Sequence, residues 1–94
     1  VDGRSAKAHQ LLGTLLMNRD QGDGAVWHLR QAVALNPSFQ QAHNNLGLML
    51  MARGHIDAAI DHFEQAARLG SRQAAENRHK AMALRSGRQP IENP

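Results

Sequence analysis

Cysteine and tyrosine are absent from the chain, and proline occurs only three times in 94 residues. Without cysteine, neither a disulfide framework nor a cysteine-ligated metal centre can form. That absence fits cytoplasm and periplasm equally and assigns no compartment. Aromatic residues are limited to Trp27, Phe39 and Phe63. A core must therefore be built from Leu, Ala and Met with a little Ile and Val, which suits close-packed helices better than a sheet. Long apolar runs are missing too. The longest stretch of apolar residues and glycine, residues 46–52, is far too short to span a bilayer, so no membrane insertion is expected. No signal-peptide pattern opens the chain, which starts at Val1 rather than Met and is read as a piece of something longer.

What is present is enough for one small folded domain, with 41% apolar residues. The net charge of +3 is mild but uneven. Arg68, Arg72, Arg78, Lys80, Arg85 and Arg88 crowd residues 68–88, with only Glu76 opposing them there.

A shift of 34 residues superimposes AHQLLGTLLMNR (residues 8–19) on AHNNLGLMLMAR (residues 42–53). Over residues 6–39 against 40–73, thirteen of 34 positions are identical, where ordinary composition gives about two or three by chance. The matches include Leu12/Leu46, Gly13/Gly47, Leu16/Leu50, Asp23/Asp57, Ala25/Ala59, Ala32/Ala66 and Leu35/Leu69. Two copies of one supersecondary unit are present.

Each unit reads as two helices. In the second, Ser38 is placed to cap a helix running to about Arg53, with Leu46, Met49 and Leu50 at helical spacing. Gly54 permits the left-handed residue that ends it. The next helix starts near Asp57, carries Ile60, Phe63, Ala66 and Ala67 on one face, and stops at Leu69-Gly70. The first unit repeats this, with Asp23 opening its second helix and Asn36-Pro37 breaking it. A further helix follows over about 74–87, with no periodic segment after it.

A 34-residue helix-turn-helix unit with Leu-Gly in its first helix, Ala twelve residues after the Gly and again seven later, and then Pro, resembles the tetratricopeptide repeat (TPR). Here that frame is Leu12-Gly13, Leu16, Ala25, Ala32 and Pro37, then Leu46-Gly47, Leu50, Ala59, Phe63 and Ala66. His9 and His43 stand where the family often has Trp, and Ser71 replaces the second Pro. The resemblance implies an all-α, TPR-type α-solenoid of antiparallel helix pairs with a terminal capping helix. The expected division is a leader over 1–5, repeats over 6–39 and 40–73, a cap over 74–87 that covers the last apolar face, and a disordered tail over 88–94.

The resemblance also implies a concave groove lined by the first helix of each unit. Its expected residues are Gln10, Thr14, Met17, Gln41, Asn44, Asn45, Leu48, Met51, Arg78, His79 and Met82. The adjacent amides Asn44 and Asn45 offer donor and acceptor together, which suits binding to the backbone of an extended peptide. In the arrays of O-linked N-acetylglucosamine transferases, an Asn just before Leu-Gly forms a ladder along bound peptide. Asn45 matches that place, but Leu11 and His79 fill it in the other two units. The carboxylate clamp of other TPR proteins has five key places, here Gln10, Thr14, Asn45, Ala75 and His79. Only Asn45 matches, so a standard clamp is rejected, although Arg78 beside His79 could meet an acidic group. Unbranched Met suits an adaptable apolar floor, and equally suits filling space between helices.

The function implied is a non-catalytic protein-interaction module that binds a peptide or partner segment in this groove. The alternative is a self-associating or docking TPR piece of a larger protein, an enzyme among the options, acting through its convex face. Trp27 is the contact candidate for that face, because Asp61 stands at its place in the second unit. A homodimer would also help two repeats that bury little core alone.

Six histidines raise a metal, but His9/His43 and His28/His62 recur 34 residues apart, which assigns each pair to neighbouring repeats and closes no ligand shell. No metal or cofactor is expected. The serines sit at helix starts, ends or loops, and no nucleophile–base set or phosphate loop is recognisable. The basic C-terminal third has no aromatic residues for base stacking, so nucleic acid is not an expected partner.

Overall fold

The computed structural model describes residues 5–87. Its elements are α1 (Ala6–Asn18), α2 (Gly22–Leu35), α3 (Gln40–Ala52), α4 (Ile56–Arg68) and α5 (Arg72–Arg85). No strand occurs among the described residues. Short connections force each helix to turn back on the one before it. Neighbouring helices pack in sequence, and α1 also touches α3 while α3 touches α5; α2 and α4 make no such contact. The odd-numbered helices therefore form the tighter, inner layer and the even-numbered ones splay apart outside it. That is an all-α solenoid curving around α1, α3 and α5.

Local chemistry explains the ends of the helices. Ser5 and Ser71 cap α1 and α5, their hydroxyls accepting from the N–H groups of Ala8 (3.1 Å) and Ala74 (3.0 Å). Ser38 does not cap α3 as its position suggested. Its own N–H donates to Asn36 Oδ1 at 3.1 Å, and the helix starts after Phe39 without a side-chain cap. The Asn36 turn has claimed the local polar groups. α3 ends on Gly54 at φ 85°, and Asp20 holds the same place after α1 at φ 61°. Asp is one of the few side chains that tolerate that left-handed conformation. The helix α5 starts at Arg72, two residues earlier than the spacing indicated. The tail over 88–94 lies outside the described residues, as do residues 1–4 of the leader.

The core is small-residue packing around a few large side chains. Phe63, Leu29 and Leu46 are fully buried, and Ala25, Ala32, Ala59, Ala66, Ala74 and Ala81 are closed to solvent between the helices. Such small residues let the helix axes approach. The closest approach is at Gly47, where a Cβ would lie 2.5 Å from Cε1 of the Phe63 ring. At the far end of the second repeat, Gln40 Nε2 donates to the carbonyl of Leu69 at 2.8 Å, satisfying a C-terminal carbonyl of α4.

Candidate functional site

The inner layer separates the two adjacent amides. Residues next to each other on a helix point about 100° apart, and Asn44 and Asn45 turn to opposite neighbours. Asn44 is buried, and its Oδ1 accepts from Nδ2 of the buried Asn77 on α5 at 3.0 Å. It belongs to the seam between α3 and α5, not to an open groove, which corrects the expectation for that residue. Asn45 is half-buried and donates from Nδ2 to Thr14 Oγ1 on α1 at 3.1 Å.

Thr14 is the hub of the other seam. Its hydroxyl donates to the Gln10 carbonyl and accepts from Gln10 Nε2, both at 3.0 Å, as well as from Asn45. One donor and two acceptor sites are all that a hydroxyl has, so Thr14 is saturated. Gln10 is buried and spent on this contact. Asn45 keeps a carbonyl that accepts no hydrogen bond among the described residues.

Met17, Leu48, Met51 and Met82 are half-buried and rest on the core while keeping part of their surface open. Gln41 and His79 are exposed. His79 and Met82 line a shallow depression with Ala83, Arg85 and Ser86. Arg78 turns elsewhere: its Nε donates to Glu64 Oε2 on α4 at 3.2 Å, and it lines a separate depression with Ala67, Arg68 and Ala75. Adjacent in sequence, Arg78 and His79 thus do not act on one spot.

The histidines form a pattern that the 34-residue spacing concealed. His9 meets His28 with Nδ1 atoms 2.9 Å apart, and His43 meets His62 at 3.0 Å. Each pair in contact lies within one repeat, 19 residues apart, and ties its two helices together, so the 34-residue spacing marks equivalent places and not contacts. The recoverable signal was that both units carry the same two-histidine offset. In the second pair the roles follow from chemistry. His43 Nε2 lies 2.8 Å from the Pro37 carbonyl, which can only accept, so Nε2 carries the hydrogen. Neutral His43 then accepts at Nδ1, and His62 donates from its own Nδ1.

Both outer-layer partners resist protonation. Burial, and then the neighbouring His9, hold His28 below the usual imidazole value. His62 is lowered by burial, then by His43 and Arg30, with Asp61 pulling the other way. Trp27 packs edge-on against the first pair, with ring centroids 5.8 Å from His9 and 4.9 Å from His28. Even so, it is 54% exposed. Among the described residues no group of three or more His, Asp or Glu side chains converges as a metal shell would require. No described helix is long and apolar enough to cross a membrane.

Comparison with known proteins places these features in a family context. Residues 40–72 match the family model described as Tetratricopeptide repeat. No curated protein matches the chain. Among solved structures, the crystal structure of MamA protein superimposes with a TM-score of 0.80 at 28% identity over 92% of this chain. The present chain spans 50% of that one.

Proposed function

From the tetratricopeptide-repeat match over residues 40–72 and the likeness to MamA protein, we propose that the chain is a non-catalytic protein-interaction module that takes an extended peptide segment along the layer of α1, α3 and α5. The observation that carries this reading is Asn45. Its Nδ2 is anchored by Thr14, which fixes the side chain, while its carbonyl stays available for a main-chain N–H of a bound segment. Leu48, Met51 and Met82, partly open on the same layer of odd-numbered helices, supply adaptable apolar contact. The depression with His79, Met82 and Arg85 is shallow and open, which suits a strand of peptide better than a small molecule that must be enclosed.

The test is selection of peptides from a random library on the intact chain, followed by calorimetric affinities. Loss of one hydrogen bond is worth about 0.5–1.5 kcal/mol, so Asn45→Ala should weaken a selected peptide by roughly two- to tenfold. Met82→Ala should weaken it as well, with helicity unchanged in both variants. Selected peptides whose affinity ignores both changes would remove the groove from consideration.

A further inference from the structure

We propose that the cleft between α2 and α4, on the outer side of the solenoid, is a second binding site that takes a Glu or Asp side chain and its apolar neighbour from an acidic protein segment. It is separate from the groove on α1, α3 and α5. Arg30, Val33 and Ala34 of α2 border it from one side and His62 and Gln65 of α4 from the other, over a floor of the buried His43 and Leu46 of α3. Every wall belongs to the two repeats themselves, none to an end of the chain. The volume of about 340 Å³ is at the small end of ligand clefts, and the mouth is open, which suits a side chain or two on a passing segment.

Three polar groups at this cleft are unspent. Among the described residues, the Arg30 guanidinium, the Gln65 amide and Nε2 of His62 have no hydrogen bond or ion pair. The state of that His62 nitrogen follows from its neighbour. The Pro37 carbonyl holds a hydrogen on Nε2 of His43, whose Nδ1 then accepts from Nδ1 of His62. Neutral His62 is left with a bare lone pair on Nε2. A proton added there keeps the link to His43 intact and creates a new donor.

A carboxylate answers these groups. It accepts two parallel hydrogen bonds from a guanidinium, and its single negative charge matches Arg30, the one permanent cation of the cleft. Val33, Ala34 and Leu46 give the adjoining apolar residue a wall. The net charge of +3 draws an acidic segment from a distance. His62 is held below the usual imidazole value by burial, then by His43 of α3 and Arg30 of α2, with Asp61 of α4 opposing. From α5, Arg78 is taken up by Glu64. A bound carboxylate acts as Asp61 does and favours the proton on Nε2. Binding therefore takes up a proton and strengthens as pH falls.

The test is an NMR titration of the 94-residue chain with acetyl-Ala-Leu-Glu-Ala-amide and its Glu-to-Gln counterpart, read on the imidazole signals of His62. The blocked ends leave the side chain as the only carboxylate. Hydrogen bonds to charged groups are the stronger ones, so the Gln peptide should bind at least about tenfold more weakly, as should the Glu peptide to Arg30→Gln. Arg72→Gln removes an equal charge from the exposed start of α5 and should leave affinity unchanged. Affinity for the Glu peptide should rise from about pH 7.5 to about pH 6, and His62→Gln, with His43 as reporter, should abolish that rise. His62 signals that ignore the Glu peptide overturn the proposal. So do equal affinities for the two peptides, a loss shared by Arg72→Gln, or an affinity that does not rise in acid.

Discussion

Replacing Gly47 by alanine adds one methyl group at the tightest point of the second repeat. An ideal Cβ there lies 2.5, 2.6 and 3.0 Å from Cε1, Cδ1 and Cζ of Phe63, whereas carbon atoms pack at about 3.5–4.0 Å. The ring is fully buried and flat, so it has no flexible end to swing aside. Either α3 moves off α4 or Phe63 leaves its rotamer. Overpacking costs about 1–3 kcal/mol, and contacts as short as these belong at the upper end, about 2–3 kcal/mol, while the better helix propensity of alanine returns about 1 kcal/mol. A net loss of about 1–2 kcal/mol follows, which lowers the melting temperature of a domain this size by roughly 4–16 °C. Gly22→Ala is the matched control, since the new methyl group meets only the ends of Arg53 and Met49, both at 3.2 Å, and these can yield. Urea unfolding followed by circular dichroism measures both. A Gly47→Ala/Phe63→Leu double variant should lose less than the sum of the single changes, because shrinking the ring relieves the clash. Wild-type stability in Gly47→Ala, or strict additivity in the cycle, would refute the packing argument.

The other predictions concern polar contacts. Asn77→Leu leaves the buried Asn44 Oδ1 without its donor and should cost about 1–3 kcal/mol. Asn44→Leu/Asn77→Leu should cost less than the two single losses combined, again by denaturant unfolding. Stability should fall in mild acid. The folded values of His28 and His62 lie below the ordinary one, so the unfolded chain takes up protons first. The histidine contribution is complete above about pH 6.5 and is lost as pH drops through the lowered folded values. A melting temperature that stays flat from about pH 7 to pH 5, or one whose slope survives His28→Gln/His62→Gln unchanged, contradicts this. Asp23→Asn removes the 2.6 Å contact with Arg53. With Asp23 91% exposed, the change should stay under about 1 kcal/mol, and a larger loss would mean the pair is not merely superficial.

The helices were legible because their information is periodic: the same Gly and Ala positions recur and fall on the buried faces. Pairings were harder. A 34-residue shift finds equivalent places, but the contact partner of His43 is His62 on the antiparallel helix of its own repeat, and equivalence is not contact. Asn44 failed for a different reason. Its neighbour Asn45 drew both residues into one reading, whereas successive side chains on a helix diverge by about 100°. Arg78 could not be placed without knowing that Glu64 on α4 would come within reach. Long-range partners of this kind depend on how helices cross, which no local pattern contains.

The single tryptophan sits against one histidine pair and not the other. Indole emission is quenched by a protonated imidazole far more than by a neutral one, so Trp27 is an optical gauge of the proton held by the first repeat. The second pair is silent in that channel. An emission titration therefore resolves one repeat, and the chain carries its own label for distinguishing a local protonation from the unfolding of the whole.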